Sequence, residues 1–281
     1  MYSPLEIARN YVDIGEHKTH LSIFKMLLLG FFAGVFIGFA GIASTTASST
    51  IAIPSVAKLV GACVFPAGIA MVIMAGSELF TGNCLIIISV LEKRVTPGKM
   101  LKNWLFVYIG NFIGAAFVAA MVVYGHTPDL FQGNLAEAIV NAGKARTDLM
   151  VMDSFIRGIL CNVLVCIAIW MSFAAVRISG KLMVSFWPVM LFVLCGFEHC
   201  VADMYFGVAA LLASVEYGIA AEGLTWANFL IKSLLPVTLG NIIGGAGIVG
   251  VGYWLVYLHH TPYTQATVEE EQLEIDIAEK Y

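Results

Sequence analysis

Residues 75–82 read Ala75-Gly76-Ser77-Glu78-Leu79-Phe80-Thr81-Gly82, in the middle of a stretch from Leu59 to Leu91 whose one charged residue is Glu78. A helical span needs about 20 apolar residues. This stretch is longer than that, and it is interrupted near its centre by glycine and a carboxylate. A second stretch, Leu182 to Val215, behaves the same way around Gly196-Phe197-Glu198-His199 and Asp203. Both read as broken helices. Breaking a helix in mid-bilayer frees backbone N–H and C=O groups, which are tolerated only inside protein or beside a wet cavity.

Four uninterrupted apolar stretches surround the two breaks. Met26 to Ala57, Asn103 to Pro128, Gly158 to Val176 and Ser233 to Leu258 contain no Asp, Glu, Lys or Arg. The expectation is an all-α polytopic membrane protein of six transmembrane helices, two of them broken. Composition agrees: of 281 residues, 59% are apolar and 12% charged, and the mean hydropathy is +0.87. Soluble domains carry about twice that charge. Secreted domains, nucleic-acid binders and ordinary soluble enzymes are excluded on this ground. Residues 1–25 are too polar for a signal peptide, with Glu6, Arg9, Asp13, Glu16, Lys18 and Lys25.

The predicted organisation is a cytoplasmic segment over 1–25, a pore domain over 26–258 and an acidic cytoplasmic tail over 259–281. Lys and Arg gather on the cytoplasmic side of membrane proteins. With the amino terminus inside, ten of the fifteen fall on inner segments and five on outer ones. Both termini are therefore expected in the cytoplasm, and the protein in a cell inner or plasma membrane. The six cysteines show no CxxC spacing and no histidine pair. They read as buried free thiols, with no metal or cofactor implied.

The chain also repeats itself. Gly76-Ser77-Glu78-Leu79 recurs 120 residues later as Gly196-Phe197-Glu198-His199, and Gly110-Asn111-Phe112-Ile113-Gly114 recurs 130 residues later as Gly240-Asn241-Ile242-Ile243-Gly244. Each copy holds three spans, an odd number, so the second enters the membrane inverted. Inverted repeats with discontinuous helices are a transport architecture, with the pathway at the breaks. Glycines four apart (Gly30, Gly34, Gly38; Gly110, Gly114; Gly240, Gly244) allow close helix approach, either within the chain or between copies.

Four stretches carry a resemblance. Residues 75–82, Gly158 to Ala168 (GILCNVLVCIA), Gly196 to His199 and Leu235 to Gly245 (LPVTLGNIIGG) resemble, in this order, the signatures of the formate/nitrite transporter family. The resemblance implies an aquaporin-like inverted repeat of three plus three spans, a homopentamer and one pore per protomer. It implies that His199 is the polar group of the narrow pore, near Thr81, with Asn162 close by and Glu198 bracing the second break. Lys144 corresponds to a vestibule lysine that attracts anions. Phe65, Ile69, Leu79 and Phe192 correspond to apolar constrictions. Asp203 stands where relatives commonly have Asn. Four residues after His199, it could hydrogen-bond the ring and favour its charged form.

The function expected is passive or proton-coupled passage of small monovalent weak-acid anions: formate, nitrite, hydrosulfide, acetate or lactate. Membrane lipid and further copies of the chain are the expected partners, and nucleic acid is not. A neutral-solute or ammonium channel is the alternative within transport. An intramembrane enzyme built on Glu198, His199 and Asp203 is a remoter one, since no nucleophile, metal-ligand pattern or cofactor loop accompanies them.

Overall fold

The computed structural model describes residues 1–259, so the acidic tail beyond His259 lies outside it. Among the described residues all regular structure is helical. Helix α1 (Pro4–His20) starts at a capping box between Ser3 and Glu6, with Pro4 in its first turn. The Ser3 hydroxyl bond to Glu6, followed by the Ser3 backbone bond, holds the Glu6 carboxyl below the usual carboxylate range. Helix α2 (Ile23–Ser48) follows a Ser22 cap. The first broken span comprises α3 (Pro54–Ala75), kinked at Pro66, and α4 (Phe80–Leu91). Next come α5 (Pro97–Tyr124), the connecting helix α6 (Asn134–Thr147) and α7 (Val151–Ala174). The second broken span is α8 (Ile178–Leu194) and α9 (Cys200–Glu216), and α10 (Asn228–Tyr257) ends the described chain.

Five of these helices, α2, α3, α5, α7 and α10, are long and apolar enough to cross a membrane. Several begin earlier than the apolar stretches that reveal them. Helix α5 starts at a Thr96 cap with Pro97 in its first turn, which puts Lys99 and Lys102 inside the helix. Hydrogen bonding carries a helix past the point where charge begins, so composition marks the apolar portion and not the cap.

The glycine spacing serves packing within the chain. A methyl group added at Gly34 would overlap the carbonyl of Asn111, and one at Gly114 the carbonyl of Phe31. This is the α2–α5 seam. At the α7–α10 seam, Gly240 and Gly244 lie against the carbonyls of Phe155 and Ile159. Small residues thus bring two helix pairs to backbone contact, where dispersion acts without help from a hydrophobic force in lipid.

Helix α1 packs into the same core. Ile7, Ala8, Tyr11 and Val12 are buried in the core, a stripe at helical spacing. The Ser89 hydroxyl donates to the carbonyl of Val12 at 2.9 Å, and the Tyr11 hydroxyl to that of Gly82 at 3.2 Å. Of the cysteines, Cys84, Cys161, Cys166 and Cys200 are buried, whereas Cys63 and Cys195 are exposed.

Candidate functional site

Each break is made by the same local grammar. The preceding helix ends in a glycine with positive φ, Gly76 at 75° and Gly196 at 70°, a conformation cheap only without a Cβ. The chain then folds back, so that Ser77 N–H bonds Val72 O at 3.1 Å and Phe197 N–H bonds Phe192 O at 3.0 Å. Glu78 N–H reaches Leu29 O, and Glu198 N–H reaches Arg157 O. Leu79 and His199 then adopt extended backbone and open the next half-helix.

One buried asparagine serves each break. Asn111 on α5 accepts from Phe80 N–H at 2.9 Å and donates to Gly30 O at 2.8 Å and Glu78 O at 2.9 Å. Asn241 on α10 accepts from Cys200 N–H at 2.9 Å and donates to Gly158 O at 2.7 Å and Glu198 O at 3.1 Å. The second break is therefore braced by Asn241. The Glu198 carboxylate, expected in that role, instead faces Arg146.

His199 and Leu79 occupy equivalent positions with different chemistry. The His199 ring turns back so that Nδ1 accepts from Ala202 N–H at 3.1 Å, while Nε2 lies 2.8 Å from Thr81 Oγ1. A backbone N–H can only donate, so Nδ1 bears a lone pair. The imidazole is then neutral, with its proton on Nε2 and directed at the threonine. Phe192 stacks on the ring at 5.8 Å and 20°, and Phe65 meets Phe192 edge-on at 5.9 Å.

Around this pair lie three spaces. A cavity of about 470 Å³ is lined by Lys58, Arg146, Glu198, Asp203, Phe192 and His199, among others. Another, of about 250 Å³, is lined by Tyr11, Lys18, Glu78, Leu79, Asn83 and Lys181, among others. A void of about 10 Å³, lined by Phe65, Ile69, Leu79, Phe192 and His199 with three aliphatic residues, shares walls with both. That volume is at the lower limit for one water.

Thr81 and Asn162 are fully buried one layer back. Asn162 donates to Thr81 O at 3.2 Å and to Asn241 O at 2.7 Å, and the Cys166 thiol also reaches Thr81 O. Lys144 pairs with Asp148 at the surface and lines neither cavity. The basic residues facing the larger cavity are Arg146 and Lys58. The Asp203 carboxylate does not bond the His199 ring: its Oδ1 accepts from Arg146 Nε at 2.6 Å, and Glu198 Oε2 lies 3.4 Å from that nitrogen. At the first break, Glu78 accepts from Lys18 and from Asn83, both at 2.7 Å.

Two chambers that each carry charged side chains, separated by an apolar collar between broken helices, define an integral membrane transport protein. The chain belongs to the formate/nitrite transporter family, whose family model, described as Formate/nitrite transporter, matches residues 5–255. It is 36% identical to a "Probable formate transporter" of Methanothermobacter thermautotrophicus over 91% of this chain and 97% of the relative. Identity to the formate channel FocA of Escherichia coli (strain K12) is 34%, over 92% and 96% of the two chains. Among solved structures it resembles an "FNT family ion channel" (TM-score 0.81, 27% identity, 89% of this chain and 98% of the other). It also resembles a "Pentameric formate channel with formate bound" (TM-score 0.74, 31% identity, 84% and 97%).

Proposed function

We propose that the protein passes small monovalent weak-acid anions of the formate, nitrite, hydrosulfide, acetate and lactate class across the membrane, without altering them chemically. Each protomer of a homopentamer carries one path. The observation that carries the reading is the His199–Thr81 pair at a void of about 10 Å³ between two cavities that each present basic side chains. With both termini cytoplasmic and the second three-span copy inverted, the Lys18 cavity opens inward and the Arg146 cavity outward.

Arg146 and Lys58 concentrate anions in the outer cavity. A bare anion in the collar of Phe65, Ile69, Leu79 and Phe192 incurs a desolvation penalty of several kcal/mol. A proton on the solute removes most of it. At the collar, the Nε2–H of His199 offers the solute a polar contact in exchange for Thr81, which Asn162 holds from behind through its backbone oxygen.

The test is initial formate flux into proteoliposomes between about pH 5 and 8, with methylammonium as control solute. Acid-stimulated formate flux, with a pH profile that changes in His199→Ala, is expected. Superimposable rates and profiles for wild type and His199→Ala would make the histidine structural, and methylammonium flux without formate flux would overturn the substrate class. Native mass spectrometry in mild detergent should show pentamers.

A further inference from the structure

The two breaks differ in what faces the glutamate. Five residues after Glu78 stands Asn83, whose amide donates to Glu78 Oε2 while Lys18 donates to Oε1. Every oxygen of that carboxylate faces a donor. Five residues after Glu198 stands Asp203, fully buried and within hydrogen-bonding reach of Glu198. Arg146 reaches both acids, yet Glu198 Oε2 and Asp203 Oδ2 are buried without a hydrogen-bond partner. Two buried acceptors side by side lack what the Asn83 amide supplies at the other break. Like charges this close ionise together only at high cost, and a buried acceptor left unpaired is also costly.

We infer that Glu198 and Asp203 hold one proton between them, forming a proton-binding site on the Arg146 side of the collar and separate from His199. The groups facing the pair are consistent with this. Arg146 on α6 is the cation in contact, and Lys58 on α3 interacts with Glu198 across the cavity. The Glu198 N–H bonds the backbone oxygen of Arg157 on α7, whose charge acts on Lys58. Tyr108 on α5, Cys161 on α7, and Cys200 and His199 at the start of α9 complete the surroundings. With the shared proton, the acids and Arg146 sum to zero and Lys58 remains to draw anions. Without it, the acids and Arg146 sum to one negative charge, which cancels Lys58 and removes the attraction. This consequence rests on the transport reading; the proton itself does not.

Infrared spectroscopy of the full-length protein at neutral pH tests the site directly. A protonated-carboxyl C=O band is expected in wild type and in Glu78→Gln, and is expected to vanish in Asp203→Asn. The asparagine reproduces the first break's bond to its glutamate. Absence of the band in wild type, or its survival in Asp203→Asn, overturns the proposal, and the wild-type spectrum decides even if a variant fails to fold. In proteoliposomes at low salt, half-saturating formate should rise about three- to fivefold between neutral and alkaline pH, as one added charge about 10 Å away predicts. Asp203→Asn should flatten that rise. A rise as steep in Asp203→Asn as in wild type would assign it to another group and overturn the role of the pair in anion attraction. The band without formate flux would keep the proton site and remove the transport reading. Flux without the band would do the reverse.

Discussion

At the first break a leucine stands where the second has a histidine, an amide where the second has a carboxyl, and a lysine from α1 where the second has an arginine from α6. The backbone bonds are otherwise duplicated, from the positive-φ glycine to the bracing asparagine. The scaffold of a discontinuous helix is therefore separable from its chemistry. Asn111 and Asn241 keep each break in place, and the residues that open the following half-helix decide what a solute meets. Leu79 can only present a wall. His199 presents a wall and a donor.

Removing the cation is expected to have the largest effect, and an unequal one. Arg146→Met leaves Glu198 and Asp203 facing each other without a counter-charge, and breaking such a buried pair costs about 3–5 kcal/mol. Lys18→Met leaves Glu78 still bonded to Asn83, and the loss should be about 1–2 kcal/mol. Thermal unfolding in detergent of both variants measures the difference; equal losses would show that the carboxyl at 203 adds no burden. Truncating the brace should instead affect both breaks alike. Asn111→Ala and Asn241→Ala each remove three hydrogen bonds to buried backbone groups, for a loss of about 3 kcal/mol. A large loss at one and none at the other would end the structural equivalence.

Copying one break onto the other comes next. His199→Leu should fold, losing about 1 kcal/mol with the cap to Ala202, and should slow formate flux about tenfold if one hydrogen bond of about 1.4 kcal/mol is lost from the crossing solute. Flux at the wild-type rate would mean that two leucine breaks make an adequate path. The smallest effect belongs to Lys144→Glu. Its exposed partner Asp148 makes a surface pair worth at most about 1 kcal/mol, so uptake at low ionic strength should change by no more than about twofold. A change as large as that of Arg146→Met would move the anion-attracting charge back to Lys144.

Much of this was legible in the sequence. Gly76 and Gly196, Glu78 and Glu198, and the repeated Gly-Asn motifs locate both breaks, and the collar residues follow from the family resemblance. What escaped did so for geometric reasons. Lys144 and Arg146 are two residues apart on a helix and so point in nearly opposite directions, which a reading of loop charge cannot resolve. The spacing of His199 and Asp203 suggests a shared face, but His199 is the capping residue and its ring turns back to Ala202 N–H. The role of Asn111 and Asn241 lay hidden because their targets are on other segments. The amphipathic stripe of α1, from Ile7 to Gly15, was readable and signals a helix that docks, not a free tail.

The glycines at the helix seams touch neither chamber, yet they govern both. Gly34 lies against the backbone of Asn111, and Gly240 immediately precedes Asn241. The asparagines that hold the pore wall are thus carried on helices whose spacing is set by missing methyl groups. An alanine at either glycine would act as a wedge driven in behind the wall, shifting the amide and the break it anchors. The calibre of the passage is fixed from outside, by how closely two pairs of helices can lie together.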